Sequence, residues 1–222
     1  MLKEYLRRTG RLLLGMLISA VGVTMLLRAN VSVEPWSVLQ QGMSRTMDIT
    51  YGTAAMIVGA AVILIAVLMG ESFGIGTLAN IIVAPAMIDA LLALGWIPEA
   101  HSLRTGIPEL LLGMEILAAG TCFYMKSALG SGPRDALMVV LARKTGRSVG
   151  FCRVAVEALA VLIGWRMGGS VGVGTLLGAF GVGTLINLNF RLMGFRAEDV
   201  HQENLPETLR RWKTERTDNA TR

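Results

Sequence analysis

The chain is a duplication. Slid against itself by 98 residues, positions 11–89 fall on positions 109–187 without a gap, and 24 of the 79 pairs are identical. LLLGMLISAVG (12–22) falls on LLLGMEILAAG (110–120), and MGESFGIGTL (69–78) on MGGSVGVGTL (167–176). Between them, SVEPWSVLQQGMSRTMDITYG (32–52) falls on GSGPRDALMVVLARKTGRSVG (130–150), which aligns Pro35 with Pro133, Leu39 with Leu137 and Arg45 with Arg143. Whatever the first copy folds into, the second must fold into as well, and function is expected where the copies meet.

The repeated unit is apolar: 53% of all residues are hydrophobic and 17% charged. A helix needs roughly 20 apolar residues to cross a hydrocarbon core about 30 Å thick. Six runs approach that length, at 12–27, 51–69, 74–97, 107–125, 149–165 and 171–193. The predicted fold is an all-α polytopic membrane protein. Its six transmembrane helices form two three-helix repeats, at 1–98 and 99–196, followed by a tail at 197–222. After the first span of each copy, PWSVLQQGMSRTM and PRDALMVVLARKT read as short helices with Pro in the first turn, where its missing N–H costs nothing. They are expected either to lie in the membrane interface or to re-enter the protein.

A basic start before an apolar run also fits a cleaved signal peptide. No small-x-small cleavage site follows that run, however, and the run has a counterpart at 110–125, so it is taken as structural. The tail, with its mixed charges, reads as a soluble and partly disordered segment.

Orientation follows from lysine and arginine. With the N-terminus in the cytoplasm, sixteen fall inside and four outside (Arg28, Arg45, Arg104 and Arg166), so both termini are expected to be cytoplasmic. Membrane topology therefore accounts for the net charge of +5, and nucleic acid is not expected as a partner. Three spans per copy is an odd number, so the second copy must enter the bilayer upside down. Inverted repeats of this kind recur in secondary transporters. On this reading the helix of Pro35 sits at the outer surface and that of Pro133 at the inner one.

The chemistry-bearing residues are few. Cys122 and Cys152 lie in apolar runs and His101 and His201 in polar ones, so neither a metal site nor a cofactor is expected. No HExxH, paired-aspartate or Ser/His arrangement appears, and the chain is not expected to be an enzyme. Pro85 in the third span falls on Gly183 in the sixth, about 16 Å into its helix at 1.5 Å per residue. Matched helix breakers near the midplane point to a transporter binding site, with a harmless kink as the competing reading. Asp89 and Asn187 add a polar group one turn beyond.

Glu115, Arg153 and Glu157 are the ionisable groups inside spans, where the cost of at least a few kcal/mol each requires that they face the interior and pair. Arg153 and Glu157 share a helix face. Either they neutralise each other, or Glu115 takes Arg153 and leaves Glu157 to carry a proton. Their counterparts are Ala55, Gly59 and Leu17, so this machinery belongs to the second copy. The two Gly-x-Gly-Thr links either reverse the chain or offer helix-start N–H groups to an anion. Trp36 and Ser37 follow Pro35 where Arg134 and Asp135 follow Pro133. Arg134 and Asp135 are expected at the cytoplasmic face, where Asp135 caps its helix or pairs with Arg134 or Lys126, with a gate to the site as the other reading.

EPWSVL, GPRDALM, the Arg153-x-x-x-Glu157 span and GGSVGVGTL together resemble the YczE/YyaS/YitT group of bacterial integral membrane proteins, over nearly the whole chain to Met193. That group's first motif reads Gly-Pro-Trp-Asp. Here Glu34 and Ser37 replace its Gly and Asp, so a role for that carboxylate does not carry over. The resemblance implies a bacterial inner-membrane protein connected with small-molecule export. The expected function is a secondary transporter of a small molecule, coupled to protons, with its site between the third and sixth spans. The alternative is a non-transporting scaffold or regulator. The bilayer and an unidentified small molecule are the expected partners, with a homodimer left open.

Overall fold

The computed structural model describes residues 2–130, 132–195, 202–208 and 210. Eight helices carry the fold: α1 (Leu2–Arg28), α2 (Pro35–Met47), α3 (Tyr51–Leu68), α4 (Ile75–Leu94), α5 (Leu103–Met125), α6 (Pro133–Thr145), α7 (Val149–Arg166) and α8 (Val173–Leu192). Helices α6, α7 and α8 begin and end 98 residues after α2, α3 and α4. Their signals recur at the same offset. Thr50 caps α3 through the Thr53 N–H at 3.1 Å, and Ser148 caps α7 through the Phe151 N–H at 3.2 Å. The left-handed backbone positions also recur in pairs, at Asn30 and Ala128, Ser32 and Gly130, Asp48 and Gly146, and Gly70 and Gly168.

Helices α1, α3, α4, α5 and α8 are each long and apolar enough to cross a membrane. Helix α7 carries three charges, Arg153, Glu157 and Arg166, and qualifies only together with α6, the two meeting at a 118° bend. The chain is thus a multi-pass membrane protein with five to six candidate spans, as its composition required. Leu64, Leu68, Leu176 and Phe180 are exposed on the outside, where lipid would cover them.

The copies join along α1 and α5, which run antiparallel and pack closely at glycines. A Cβ on Gly22 would stand 2.7 Å from the Gly113 carbonyl, and one on Gly120 would stand 2.8 Å from that of Gly15. Small residues at seven-residue spacing let the two backbones approach, which is how helices associate where lipid is as apolar as leucine. Around this seam the contacts come in matched pairs: α2 packs on α7 and α6 on α3; α1 on α4 and α5 on α8; α2 on α8 and α6 on α4.

The Gly-x-Gly-Thr links serve this mutual packing. Gly76 N–H donates to the Leu129 carbonyl at 2.8 Å, and Thr175 N–H donates to Ser32 Oγ at 3.2 Å. The N–H groups that could have held an anion hold the other copy's loop. Ser32 keeps a φ of 102° to make its contact, while the equivalent Gly130 adopts 131° at no steric cost.

Part of the tail departs from the sequence reading. Residues 202–208 dock against the end that carries the N-terminus. Glu203 bonds Arg8 at 2.8 Å, Glu203 N–H donates to the Ala128 carbonyl at 3.1 Å, and Leu205 N–H donates to that of Phe73 at 2.8 Å. Asn204 caps a short turn through the Glu207 N–H at 3.0 Å. The remaining tail residues (196–201, 209 and 211–222), for which a soluble character was expected, lie outside the described residues.

A central cavity where the two proline motifs meet

The short helices α2 and α6 begin in the middle of the molecule and run to opposite ends. Near its C-terminus, α2 is tied by Arg45 to the Gly168 carbonyl at 2.6 Å; α6 is tied by Arg143 to Glu71 at 3.1 Å. Their N-termini face each other. Pro35 and Pro133 open the two helices, and neither N-cap residue, Glu34 or Gly132, donates a capping side chain. The expectation that Arg134 and Asp135 sit at the cytoplasmic face is therefore overturned. The helix N-terminus is the inner end, and these residues line a cavity of about 230 Å³ to which all eight helices contribute.

Equivalent residues of the two copies touch across this centre. The Arg134 guanidinium lies 5.0 Å from the centroid of the Trp36 ring, and Arg134 also bonds the Glu34 carboxylate at 3.2 Å. Glu34 accepts a further bond from Ser37 Oγ at 3.3 Å, and Tyr51 links Ser37 to Gln40 at 2.8 and 2.6 Å. The first copy thus carries its carboxylate at the N-cap, three residues before the position that Asp135 takes in the second. Asp135 pairs with neither Arg134 nor Lys126; among the described residues no hydrogen bond or ion pair holds it, and it faces the cavity.

Arg153 and Glu157 also reach the cavity and form the self-neutralising pair, Nε to Oε1 2.9 Å. They stand where the first copy has Ala55 and Gly59. Gly59 lets α3 pack on Ile81 of α4, whereas α7 presents charges and the Arg153 guanidinium lies 3.6 Å from where a Cβ on Gly183 would be. Glu115 does not meet Arg153. It accepts a 2.8 Å bond from Asn189 Nδ2, between α5 and α8 and outside the cavity. Asp89 is structural in its geometry, accepting the Gly52 N–H at 2.7 Å and so fixing the start of α3. Asn187 is exposed on α8. Pro85 is buried and lines the cavity, while α4 runs through it unbroken.

The motif residue Trp36 is joined by Tyr124, which the sequence reading missed. Tyr124 and Trp36 are 5% and 4% exposed, both line the cavity, and among the described residues Tyr124 Oη and Trp36 Nε1 have no hydrogen-bond partner. Buried polar groups without partners are rare in folded proteins. Tyr124 carries no repeat signal, since its counterpart is Leu26.

Comparisons with known proteins agree with this picture of class. The chain is 30% identical over 175 residues to an uncharacterized protein of Haemophilus influenzae, covering 79% of each chain. It is 30% identical over 178 residues to the uncharacterized membrane protein YczE of Bacillus subtilis, covering 79% of this chain and 81% of that one. With the uncharacterized protein YyaS of the same organism it shares 23% over 168 residues, 74% and 83% of the two chains. No solved structure matches it. Residues 6–191 match a family of unknown function, DUF6198, and the chain belongs to that YczE-like family of bacterial membrane proteins.

Proposed function

We propose that this protein is a secondary transporter of a small molecule in the bacterial inner membrane, built from two inverted repeats and working by alternating access. One observation carries the reading: the tips of two half-length helices, from equivalent positions of the two copies, meet in a cavity lined by all eight helices. Helix N-termini aimed at a shared central site are a recurring device of such proteins. The antiparallel packing of α1 on α5 and the paired contacts support an inversion. With Arg134 moved to the centre, the basic residues at the end carrying both Arg8 and Glu203 still far outnumber those at the other, which supports cytoplasmic termini. We read the chain as a carrier and not an enzyme.

The test needs no known substrate. In a background with Cys122 and Cys152 replaced by alanine, a cysteine is introduced at Met138 or Ala55, both cavity-lining. Membrane-impermeant thiol reagents are then applied from each side of oriented vesicles. A transporter is labelled from both sides, at rates that shift reciprocally when one end is cross-linked shut. Labelling from one side only, or from neither, would reject alternating access. The alternative, a scaffold that recruits partners through its tail, is disfavoured by the docking of residues 202–208 on the protein's own body.

A further inference from the structure

Among the described residues the cavity holds five charged side chains, and their sum is not zero. Glu34 and Arg134 form one pair at 3.2 Å, and Arg153 and Glu157 a second at 2.9 Å. Asp135 is the fifth; it is exposed to the cavity and has no partner among those residues. An ionisable side chain that faces a cavity inside a membrane protein marks an ion pathway or a proton relay. The missing charge is therefore positive.

An anionic ligand fits less well. Each helix N-terminus in the cavity already has a resident carboxylate, Glu34 at the N-cap of α2 and Asp135 in the first turn of α6. These satisfy the helix dipoles. Each guanidinium group already pairs with a carboxylate, Arg134 with Glu34 and Arg153 with Glu157. A divalent metal fits less well again, because among the described residues no three acidic, His or Cys side chains converge as ligands. What remains is a monovalent cation with some apolar surface. Val58, Ile81, Met138 and Val182 offer apolar wall, and the unpartnered Trp36 N–H and Tyr124 O–H offer donors to an acceptor on the same molecule.

We propose that the central cavity binds a small organic monocation, an amine or quaternary ammonium, at Asp135, and that a proton occupies this carboxylate when the cation is absent. The inference rests on the transporter reading. The exchange balances: as the cation enters, the Asp135 carboxyl O–H loses its proton to water, and the cavity keeps its net charge. The charged and titratable groups around Asp135 are Arg134 on α6, Arg153 and Glu157 on α7, Glu34 before α2, Tyr51 on α3 and Tyr124 on α5. Ser19 of α1, Asn80 of α4 and Ile186 of α8 complete the surroundings without charge. Protonation and cation binding compete for this one carboxylate.

The experiment uses the full chain purified in detergent, in weakly buffered solution with a pH indicator and a calorimeter. Tetramethylammonium, tetraethylammonium and benzyltrimethylammonium chlorides are added in turn. At least one should bind and release up to one proton per chain, with affinity falling tenfold per pH unit on the acid side of the carboxyl's titration. D135N should abolish proton release while keeping the wild-type melting curve, and D135E should restore it. Proton release that survives in D135N overturns the assignment to Asp135. Absence of binding by all three cations overturns the proposal. Binding of sodium benzoate, lost in R134A, in place of the cations would overturn it in favour of an anion site. In each of these cases the two-sided cysteine labelling decides separately whether the protein transports.

Discussion

Arg134 stacks over the ring of Trp36 at 5.0 Å, and the two residues occupy the same position in the two copies of the repeat. Equivalent positions thus meet, and they have diverged into complementary partners: an aromatic face on one side and a cation on the other. Two tryptophans at this point would lose the cation, and two arginines would repel.

Breaking that meeting point should be costly. Arg134→Gln removes the cation–π contact and leaves Glu34, whose side chain is 11% exposed, without its counter-ion. Arg134 is itself 35% exposed, so the loss should fall below the roughly 3–5 kcal/mol of a fully buried pair. Glu34→Gln in the same chain should recover part of the loss, with a coupling of about 1–3 kcal/mol in a double-mutant cycle followed by thermal unfolding in detergent. Additive effects of the two changes would show that the pair contributes nothing to stability.

The glycine seam makes a sharper forecast. Gly22→Val and Gly120→Val each push a side chain into backbone of the facing helix and should lower Tm or abolish folding, since overpacking costs about 1–3 kcal/mol even where neighbours can move. Gly10 in the same α1 has nothing within 4 Å, so Gly10→Ala should raise Tm slightly through helix propensity.

Asp89 and Glu115 separate structural from functional carboxylates. Asp89→Asn retains an oxygen for the Gly52 N–H and should leave stability and cavity labelling nearly unchanged. Asp89→Ala orphans that N–H and should cost about 1–3 kcal/mol. Glu115→Gln keeps an acceptor for Asn189 and should not alter two-sided labelling. A change in labelling with Glu115→Gln would return Glu115 to the proposed site.

The docked tail segment should control access at its end. Arg8 bonds Glu203 and donates to the carbonyls of Ser127 and Ala128 at 2.8 and 2.6 Å. Arg8→Ala should raise the rate at which a water-soluble maleimide modifies a cysteine placed at the fully buried Ser127. An unchanged rate would mean that the strap does not cover this loop.

Much of the fold was legible before any coordinates, because repeat, span length and proline position are all local or periodic signals. Helices α2 and α6 could be bounded from Pro35 and Pro133, and α6–α8 followed from the first copy by the offset. What was not legible was how the copies meet. The Glu34–Arg134 contact joins residues 100 apart, and no periodicity encodes it. Charge counting placed Arg134 at a surface because it treats every basic residue between spans as facing water, and a re-entrant tip breaks that assumption. Of the two readings of Arg153 and Glu157 the structure shows the mutual pair, and Asp135, read as a cap or an ion-pair member, has no partner among the described residues.

The loop clasps set an order of biosynthesis. Leu129 finds its partner, Gly76, already made when it leaves the ribosome. Ser32 must wait for Thr175, which is synthesised 143 residues later. The first half therefore lives for most of translation with an unclasped loop before α2, and a chain that stops at the midpoint would leave that loop unpaired inside the membrane, a substrate for quality-control proteolysis and not a smaller version of the protein.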